Sequence, residues 1–260
     1  MTLLLIYSLL IGMVVGSFLN VVIYRVPLKL SIIRPRSACP QCRHPIAERD
    51  NIPVLSWIIL RGRCRHCHSP ISVRYPLVEA STGVLFALTA WRIGPHFDLG
   101  VFLVLDGSLI ALALIDLEHL LLPRSIVYPT LGAVIGWLVA SAAYYDQWHR
   151  LQIAAVCGAA WFIVFWLLNF FSPRSLGYGD VRLSLVLGIA LGWLGVGDVL
   201  IGFFAANLLG AIIGLTLIGF KKMSRDQPIP YGVYLAAGAT LAVLIGPVLL
   251  VHWHNWPNAH

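Results

Sequence analysis

Long apolar segments separated by short polar ones constrain this chain more than any other feature. A transmembrane helix needs about 17 to 25 mostly apolar residues. Hydrophobic residues make up 59% of the 260 positions and charged residues 11%, whereas an ordinary globular domain has about 25% charged residues. We therefore predict an all-α polytopic membrane protein with about eight transmembrane helices. The candidate spans lie near 2–24, 76–91, 99–115, 126–143, 152–171, 181–195, 199–220 and 231–252.

The chain divides into three predicted segments. Residues 1–24 form a first transmembrane helix, residues 25–75 a cytoplasmic loop, and residues 76–260 a multi-helix transmembrane domain. The first apolar segment has no A-x-A cleavage motif, so we expect a retained helix. Small residues four positions apart allow helices to pack closely in lipid. The sequence has four such pairs: Gly12/Gly16, Gly132/Gly136, Gly188/Gly192 and Gly210/Gly214.

Basic residues predict the orientation, because they accumulate on the cytoplasmic side of a membrane. If residues 25–75 are cytoplasmic, that side holds 16 of the 18 Lys and Arg residues, and only Arg92 and Arg150 lie outside. Both termini are then external. The net charge of +7 thus reflects topology and contact with anionic lipid, and it gives no reason to invoke nucleic acid. Outside the loop, the predicted cytoplasmic residues are Arg124, Arg174, Arg182, Lys221, Lys222 and Arg225.

Four cysteines in the predicted cytoplasmic loop form two C-x2-C pairs. Two such pairs can enclose one tetrahedral ion with four thiolates. Two disulfides are the alternative, but a reducing cytoplasm disfavours them. A loop of this length with little apolar periodicity needs a staple, because it buries too little surface to offset its chain entropy. We therefore predict a structural zinc ion bound by Cys39, Cys42, Cys64 and Cys67.

Two aspartates, Asp116 and Asp180, lie where a long apolar segment meets a short polar one. The predicted topology places both at the cytoplasmic ends of their helices. A carboxylate is costly at such a position and therefore indicates function. Two nearby carboxylates can share one proton, so that one activates water while the other polarises a carbonyl. The motifs of serine hydrolases, zinc proteases and nucleotide-binding loops are not found in the sequence.

Asp180 follows two glycines in the tetrapeptide Gly177-Tyr178-Gly179-Asp180. Glycines beside the acid would allow an extended substrate backbone to approach. The alternative is a turn followed by a helix that Asp180 caps at its N-terminus. The tetrapeptide by itself leaves both interpretations open.

Taken together, these segments resemble the type IV prepilin peptidases over nearly the whole chain. The resemblance implies an aspartic peptidase of the bacterial inner membrane that removes a short basic leader from prepilins and pseudopilins of type IV pilus and type II secretion systems. Cleavage follows a glycine at the cytoplasmic face. The matching segments are Gly16–Arg25, the two cysteine pairs, Asn51–Pro53, Ser56–Trp57, Arg61–Gly62, Arg74–Pro76 with Glu79, Ile115–Asp116, Gly177–Val181 and Ile229–Gly232.

The resemblance also implies roles for particular residues and for a second cofactor. Asp116 and Asp180 correspond to the catalytic pair, and the four loop cysteines correspond to the zinc ligands. Many members of the family use S-adenosylmethionine to methylate the new N-terminus of the cleaved product. The sequence contains no glycine-rich methyltransferase loop, so this activity rests on resemblance alone and its binding residues stay unassigned.

The chain departs from the family pattern at two positions, and other classes of function remain open. Arg124 stands where the family usually has aspartate, and Arg182 where it usually has lysine. Arg124 would favour ionisation of Asp116 if it came close. A proton- or metal-coupled transporter could use the same aspartates, and an assembly scaffold could present the zinc loop. The oligomeric state cannot be inferred from the sequence.

Overall fold

The computed structural model describes residues 1–172, 176–220 and 229–250. These residues contain no β-strand, only two isolated antiparallel bridges, Ala38 with Pro45 and Arg63 with Pro70. The predicted all-α fold is therefore confirmed. Arg174, Lys221, Lys222 and Arg225, which entered the orientation argument, lie outside the described residues.

Each segment that the sequence predicted as a membrane span contains one helix over most of its described residues. A short 3₁₀ turn, Glu48–Asn51, and one five-residue helix lie within the predicted loop. The described α-helices are α1 (Thr2–Arg25), α2 (Leu55–Ile59), α3 (Arg74–Ile93), α4 (Leu99–His119), α5 (Arg124–Tyr145), α6 (Trp148–Phe171), α7 (Tyr178–Leu194), α8 (Val196–Gly219) and α9 (Tyr231–Leu250).

Five of these helices, α1, α4, α5, α6 and α8, are long and apolar enough to cross a membrane. The predicted number of eight is not confirmed. Helix α3 carries Arg74, Glu79 and Arg92. Helix α7 has 17 residues, which at a rise of about 1.5 Å per residue is shorter than the hydrocarbon core of about 30 Å. Helix α9 has a short apolar stretch, Tyr231–Gly246.

The chain forms two compact units, and the first is Met1–Leu99. Its helices α1 and α3 pack side by side and run in opposite directions. A Cβ atom on Gly12 would lie 2.8 Å from the Gly83 Cα, and one on Gly16 would lie 2.7 Å from the Glu79 Cα. The two backbones therefore approach as closely as glycine allows. The predicted segment boundaries at residues 24 and 75 stay a prediction.

The second unit is Gly100–His260, and α7 is its central helix. It packs against α5, α6, α8 and α9, and 12 of its 17 residues are buried. A helix that is apolar on all sides suits such a position. Only Gly195 separates α7 from α8, with φ 156° and ψ 163°, a conformation essentially restricted to glycine.

The small-residue pairs pack unequally. Gly12/Gly16 and Gly188/Gly192 contact the backbone of a neighbouring helix, as predicted. Gly210 and Gly214 face the side chains of Tyr234 and Ile229 instead. A Cβ atom on Gly132 or Gly136 would meet no described atom within 4 Å, so the prediction is wrong for that pair within the described chain. Two glycines four residues apart give a helix a smooth face, but they do not determine whether a second helix packs against it.

This difference predicts opposite effects for two Gly→Ala substitutions. A Cβ atom on Gly188 would lie 2.8 Å from the Gly158 Cα and 2.9 Å from the Cys157 carbonyl oxygen, so α6 and α7 must separate. We expect Gly188→Ala to lower the free energy of unfolding by about 1–3 kcal/mol. The control Gly136→Ala should be neutral or stabilise by up to about 1 kcal/mol through helix propensity. The measurement is thermal unfolding of both variants in detergent. Equal effects of the two substitutions would contradict the close packing of α6 and α7 at Gly188.

Candidate active site and metal centre

Three helix ends meet around the two predicted aspartates. Asp116 lies one turn before the end of α4, Asp180 is the third residue of α7, and Gly232 is the second residue of α9. The Gly232 N–H donates a hydrogen bond of 2.8 Å to Asp116 Oδ2. Asp116 and Asp180 interact electrostatically with each other. The structure therefore brings together two residues that the sequence places 64 positions apart.

Both carboxylates are buried, and each accepts a hydrogen bond from a backbone amide. Asp116 is 5% exposed and Asp180 is 7% exposed. The Gly177 N–H donates to Asp180 Oδ2 at 3.1 Å. Asp180 Oδ1 is also buried, but no described residue donates a hydrogen bond to it. Asp180 therefore uses one oxygen to accept from the residue before α7, while its other oxygen is buried without a donor among the described residues.

Glycines and a leucine determine how closely the helices approach at this site. A Cβ atom on Gly179 would lie 2.9 Å from the Leu122 Cβ, and one on Gly232 would lie 2.9 Å from Asp116 Oδ2 and from Leu122 Cδ2. The sequence interpretation held that the glycines beside Asp180 make room for a substrate. At Gly179 that room is filled by Leu122, so this glycine serves helix packing.

Tyr231 borders the site and was not assigned a role from the sequence. Its hydroxyl donates to Asn207 Oδ1 at 2.9 Å, and its ring packs against Phe165 with the centroids 6.0 Å apart. Tyr231 also interacts electrostatically with Asp180. The signal that could have identified Tyr231 and Gly232 was present, because the family resemblance included the segment Ile229–Gly232.

The two residues that depart from the family pattern lie outside this carboxylate pair. The Arg182 guanidinium carbon lies 5.2 Å from the centre of the Tyr178 ring and 5.9 Å from that of Tyr128, and its Nε donates to the Tyr178 carbonyl at 3.1 Å. Arg124 is exposed at the start of α5. Among the described residues, no salt bridge joins either arginine to Asp116 or Asp180.

The four loop cysteines form one cluster in the first unit. All four sulfur atoms lie within 4.8 Å of one another, and Cys39 Sγ is 3.7 Å from Cys67 Sγ. A tetrahedral shell with metal–sulfur bonds of about 2.3 Å has sulfur–sulfur edges of about 3.8 Å. A disulfide would need about 2.05 Å, and the cysteines are free thiols. The cluster fits a tetrahedral metal ion.

The two cysteine pairs have nearly the same backbone conformation. The Cys39 N–H donates to the His44 carbonyl at 3.0 Å, and the Cys64 N–H donates to the Ser69 carbonyl at 2.9 Å. Arg43 and His68, each one residue beyond its pair, both have φ 57°. Each tight turn directs its two sulfur atoms toward the same point, so the two turns together complete a four-sulfur shell.

Local hydrogen bonds favour the ionised form of two thiols in this cluster, Cys39 and Cys67. The backbone N–H groups of Cys42 and Gln41 and the Ser69 hydroxyl lower the pKa of Cys39 to about 6. The Ser69 hydroxyl and N–H lower the pKa of Cys67. The His44 N–H lowers the pKa of Cys42, but burial and the three other thiols raise it to about 11 overall. A cation would remove this repulsion and let all four sulfurs ionise.

The site and the fold define a multi-helix, membrane-type protein with a buried carboxylate pair and a four-cysteine cluster. Residues 10–93 match the bacterial peptidase A24 N-terminal domain, and residues 103–215 match the type IV leader peptidase family. The chain belongs to the type IV leader peptidase family. The predicted family and enzyme class are therefore confirmed.

Curated relatives cover most of the chain. A prepilin leader peptidase/N-methyltransferase of Pseudomonas putida is 38% identical over 91% of this chain and 88% of its own length. One of Stutzerimonas stutzeri is 35% identical over 92% of this chain and 90% of its own length. One of Myxococcus xanthus is 42% identical over 82% of this chain and 63% of its own length. No solved structure matches the chain.

The cysteine cluster predicts a fixed metal content. Elemental analysis of the purified chain should find about one tetrahedrally bound ion per molecule. The double substitution Cys39→Ser with Cys64→Ser should remove it, because each pair then keeps one thiolate. Cys157→Ala is the matched control, since Cys157 lies in α6, outside the cluster. Metal-free protein with all four loop cysteines oxidised would establish the disulfide alternative.

Proposed function

We propose that this chain is an aspartic endopeptidase that removes the leader peptide from type IV prepilins and pseudopilins. The observation that carries the proposal is that Asp116 and Asp180 are both buried and near enough to interact electrostatically, where three helix ends converge. The family membership and the names of the relatives support a prepilin substrate.

The two carboxylates would divide the work of peptide hydrolysis and share one proton. One ionised carboxylate takes a proton from a water molecule as the water oxygen attacks the scissile carbonyl carbon. The protonated partner gives its proton to the carbonyl oxygen. When the C–N bond breaks, the first group gives its proton to the leaving amine, and the partner takes back a proton from a hydroxyl of the tetrahedral intermediate as the carbonyl re-forms. Both carboxyl groups return to their starting states, and no covalent bond to the enzyme forms.

Contacts at the site suggest how each carboxylate is used. The Gly232 N–H orients Asp116 through Oδ2, and the Gly177 N–H orients Asp180 through Oδ2. Asp180 Oδ1 has no donor among the described residues, so it is the oxygen that we assign to the attacking water. A carboxylate held from one side is pre-oriented for proton transfer from the other.

We further propose that the site opens to the cytoplasm and that both termini are external. The support is the excess of basic residues in 25–75 and in the other segments assigned to that side, by the rule that such residues stay cytoplasmic. The five long apolar helices and the bacterial prepilin peptidase relatives support the inner membrane as the location. In this orientation the leader peptide reaches Asp116 and Asp180 without crossing the membrane.

The metal that we assign to the cysteine cluster is zinc. Four thiolates in tetrahedral geometry are a donor set that zinc prefers at structural sites, which keep no open position for substrate. The ion would hold the two cysteine turns together and stabilise a loop with little apolar core. It takes no part in the proposed hydrolysis.

We also propose N-methylation of the new N-terminus, because the relatives are prepilin leader peptidase/N-methyltransferases. S-adenosylmethionine would supply the methyl group. The acidic and aromatic side chains in and beside the loop that could face its sulfonium already make contacts within the first unit. Asp50 pairs with Arg65 at 2.6 Å, Trp57 donates to the Ile71 carbonyl at 3.1 Å, and Glu79 accepts from the Val54 N–H at 2.6 Å. We therefore assign no residue to the cofactor.

Replacing either aspartate tests the peptidase mechanism. Asp116→Asn and Asp180→Asn should each abolish cleavage of a prepilin peptide while leaving the protein folded, because each breaks the shared-proton arrangement. Acid–base catalysis alone accounts for on the order of 10² to 10⁴ in rate. Asp146→Asn is the matched control, since Asp146 is exposed at the far end of α5. Mass spectrometry showing near-normal turnover in either aspartate variant would exclude the mechanism.

Methyl transfer can be tested separately from cleavage. A prepilin peptide cleaved with S-adenosylmethionine present should gain one methyl group at its new N-terminus, and without the cofactor it should gain none. Cys39→Ser with Cys64→Ser should cleave with partial activity, because neither aspartate lies in the loop, but should not methylate. Cleaved and unmethylated product at saturating cofactor would show that this chain is a peptidase only.

A further inference from the structure

The short helix α2 in the 25–75 loop presents an apolar face outward. Leu55, Ile58 and Ile59, at helical spacing i, i+3 and i+4, are 49%, 58% and 64% exposed. Ser56, on the other side, is buried and Trp57 is half-buried. A helix on a water-soluble surface has the opposite arrangement. Clustered exposed apolar side chains indicate contact with another apolar phase.

Several contacts hold this face in place. The Ser56 hydroxyl donates to the Arg49 carbonyl at 3.1 Å and accepts from the Ile52 N–H at 3.0 Å. The Trp57 indole donates to the Ile71 carbonyl at 3.1 Å. The same ring packs on Gly62, where a Cβ atom would lie 2.9 Å from it. The exposed face is therefore built into the loop.

Contacts with α3 and α1 set the level of α2 relative to the membrane. The Val54 N–H, directly before α2, donates to the buried Glu79 of α3 at 2.6 Å. Glu79 packs against Gly16 of α1, a helix long and apolar enough to span a membrane. Gly16 lies nine residues before the end of α1 at Arg25, or about 13 Å along the axis. Since helical side chains point toward the N-terminus, Glu79 reaches from this depth toward the end of α1.

The charges around α2 complement an anionic surface. Residues 25–75 contain ten basic and two acidic residues. Both acids pair with arginines of the loop, Glu48 with Arg36 at 3.7 Å and Asp50 with Arg65 at 2.6 Å. The arginines that flank α2 are exposed and form no salt bridge within this fully described loop. They are Arg49, Arg61 and Arg63.

We propose that α2 is an interfacial anchor that seats the cysteine loop on the membrane in which the protein lies. Leu55, Ile58 and Ile59 insert into the boundary between headgroups and acyl chains, while the flanking arginines bind phosphates of anionic lipids. A prepilin leader, being basic by family resemblance, would be repelled by these arginines. The occupant of the face is therefore lipid.

Photo-crosslinking in bilayers tests the anchor in the full chain. A benzophenone amino acid replaces Ile58 or, in a second variant, Ile59, and the protein is placed in nanodiscs of equal phosphatidylglycerol and phosphatidylcholine. We expect lipid adducts at both positions by mass spectrometry. The matched control carries the probe at Gln41, exposed in the first cysteine turn, and should give no lipid adduct. Two positions on the same face guard against local misfolding, which the metal content of each variant reports.

The charge component has its own measurement. With the probe at Ile58, Arg61→Gln and Arg63→Gln should each lower the ratio of phosphatidylglycerol to phosphatidylcholine adducts by about fivefold, while total lipid adducts persist. An unchanged ratio would overturn the phosphate contacts. No lipid adduct at either position, or adducts to a second copy or to an added prepilin peptide in place of lipid, would overturn the anchor.

Discussion

The hydrogen bond from the Gly232 N–H to Asp116 joins the end of α4 to the start of α9, and the site depends on it. The contact leaves no room for a side chain at position 232 and brings Leu122 between α7 and α9. Because Leu122 also packs on Gly179, the same contact positions the start of α7 and therefore Asp180. A buried carboxylate without such a donor would be costly. Here the absence of a side chain at Gly232 allows both the hydrogen bond to Asp116 and the close packing of Leu122.

The two oxygen atoms of Asp180 have different surroundings. Its Oδ2 accepts from the Gly177 N–H. The sequence alternative, that Asp180 is the N-cap residue, is wrong in position, because α7 begins at Tyr178, Gly177 is the N-cap and Asp180 is the third helical residue, which reaches back to the cap as in a capping box. Asp180 Oδ1 is buried without a described donor, and this is the oxygen that we propose for the attacking water. A carboxylate has two oxygen atoms, so capping by one orients the other. The helix cap thus contributes to the chemistry that we propose.

The 25–75 loop combines a four-cysteine cluster, which suits a small water-exposed segment, with an apolar helix face, which suits a membrane boundary. Its two cysteine turns repeat one backbone pattern around a metal-sized centre, which compensates for a small apolar core. On α2 the buried side carries Ser56 and the exposed side carries Leu55, Ile58 and Ile59. Such a face would favour aggregation in water, but at the level of Val54 and Glu79 a lipid boundary can cover it.

The sequence by itself determined the helices and the four-cysteine cluster, and it singled out Asp116 and Asp180 as the two acids of a candidate site. Long apolar runs, C-x2-C spacing and isolated acids are all local signals. The sequence did not determine which helices touch. Lipid is as apolar as the protein interior, so polarity does not distinguish a buried helix face from a lipid-facing one. Gly188 therefore packs on α6 while Gly136 meets no described atom, although both belong to the same spacing pattern. Only the tertiary structure decided that Gly232 and Leu122 complete the site, since these contacts join segments far apart in the chain.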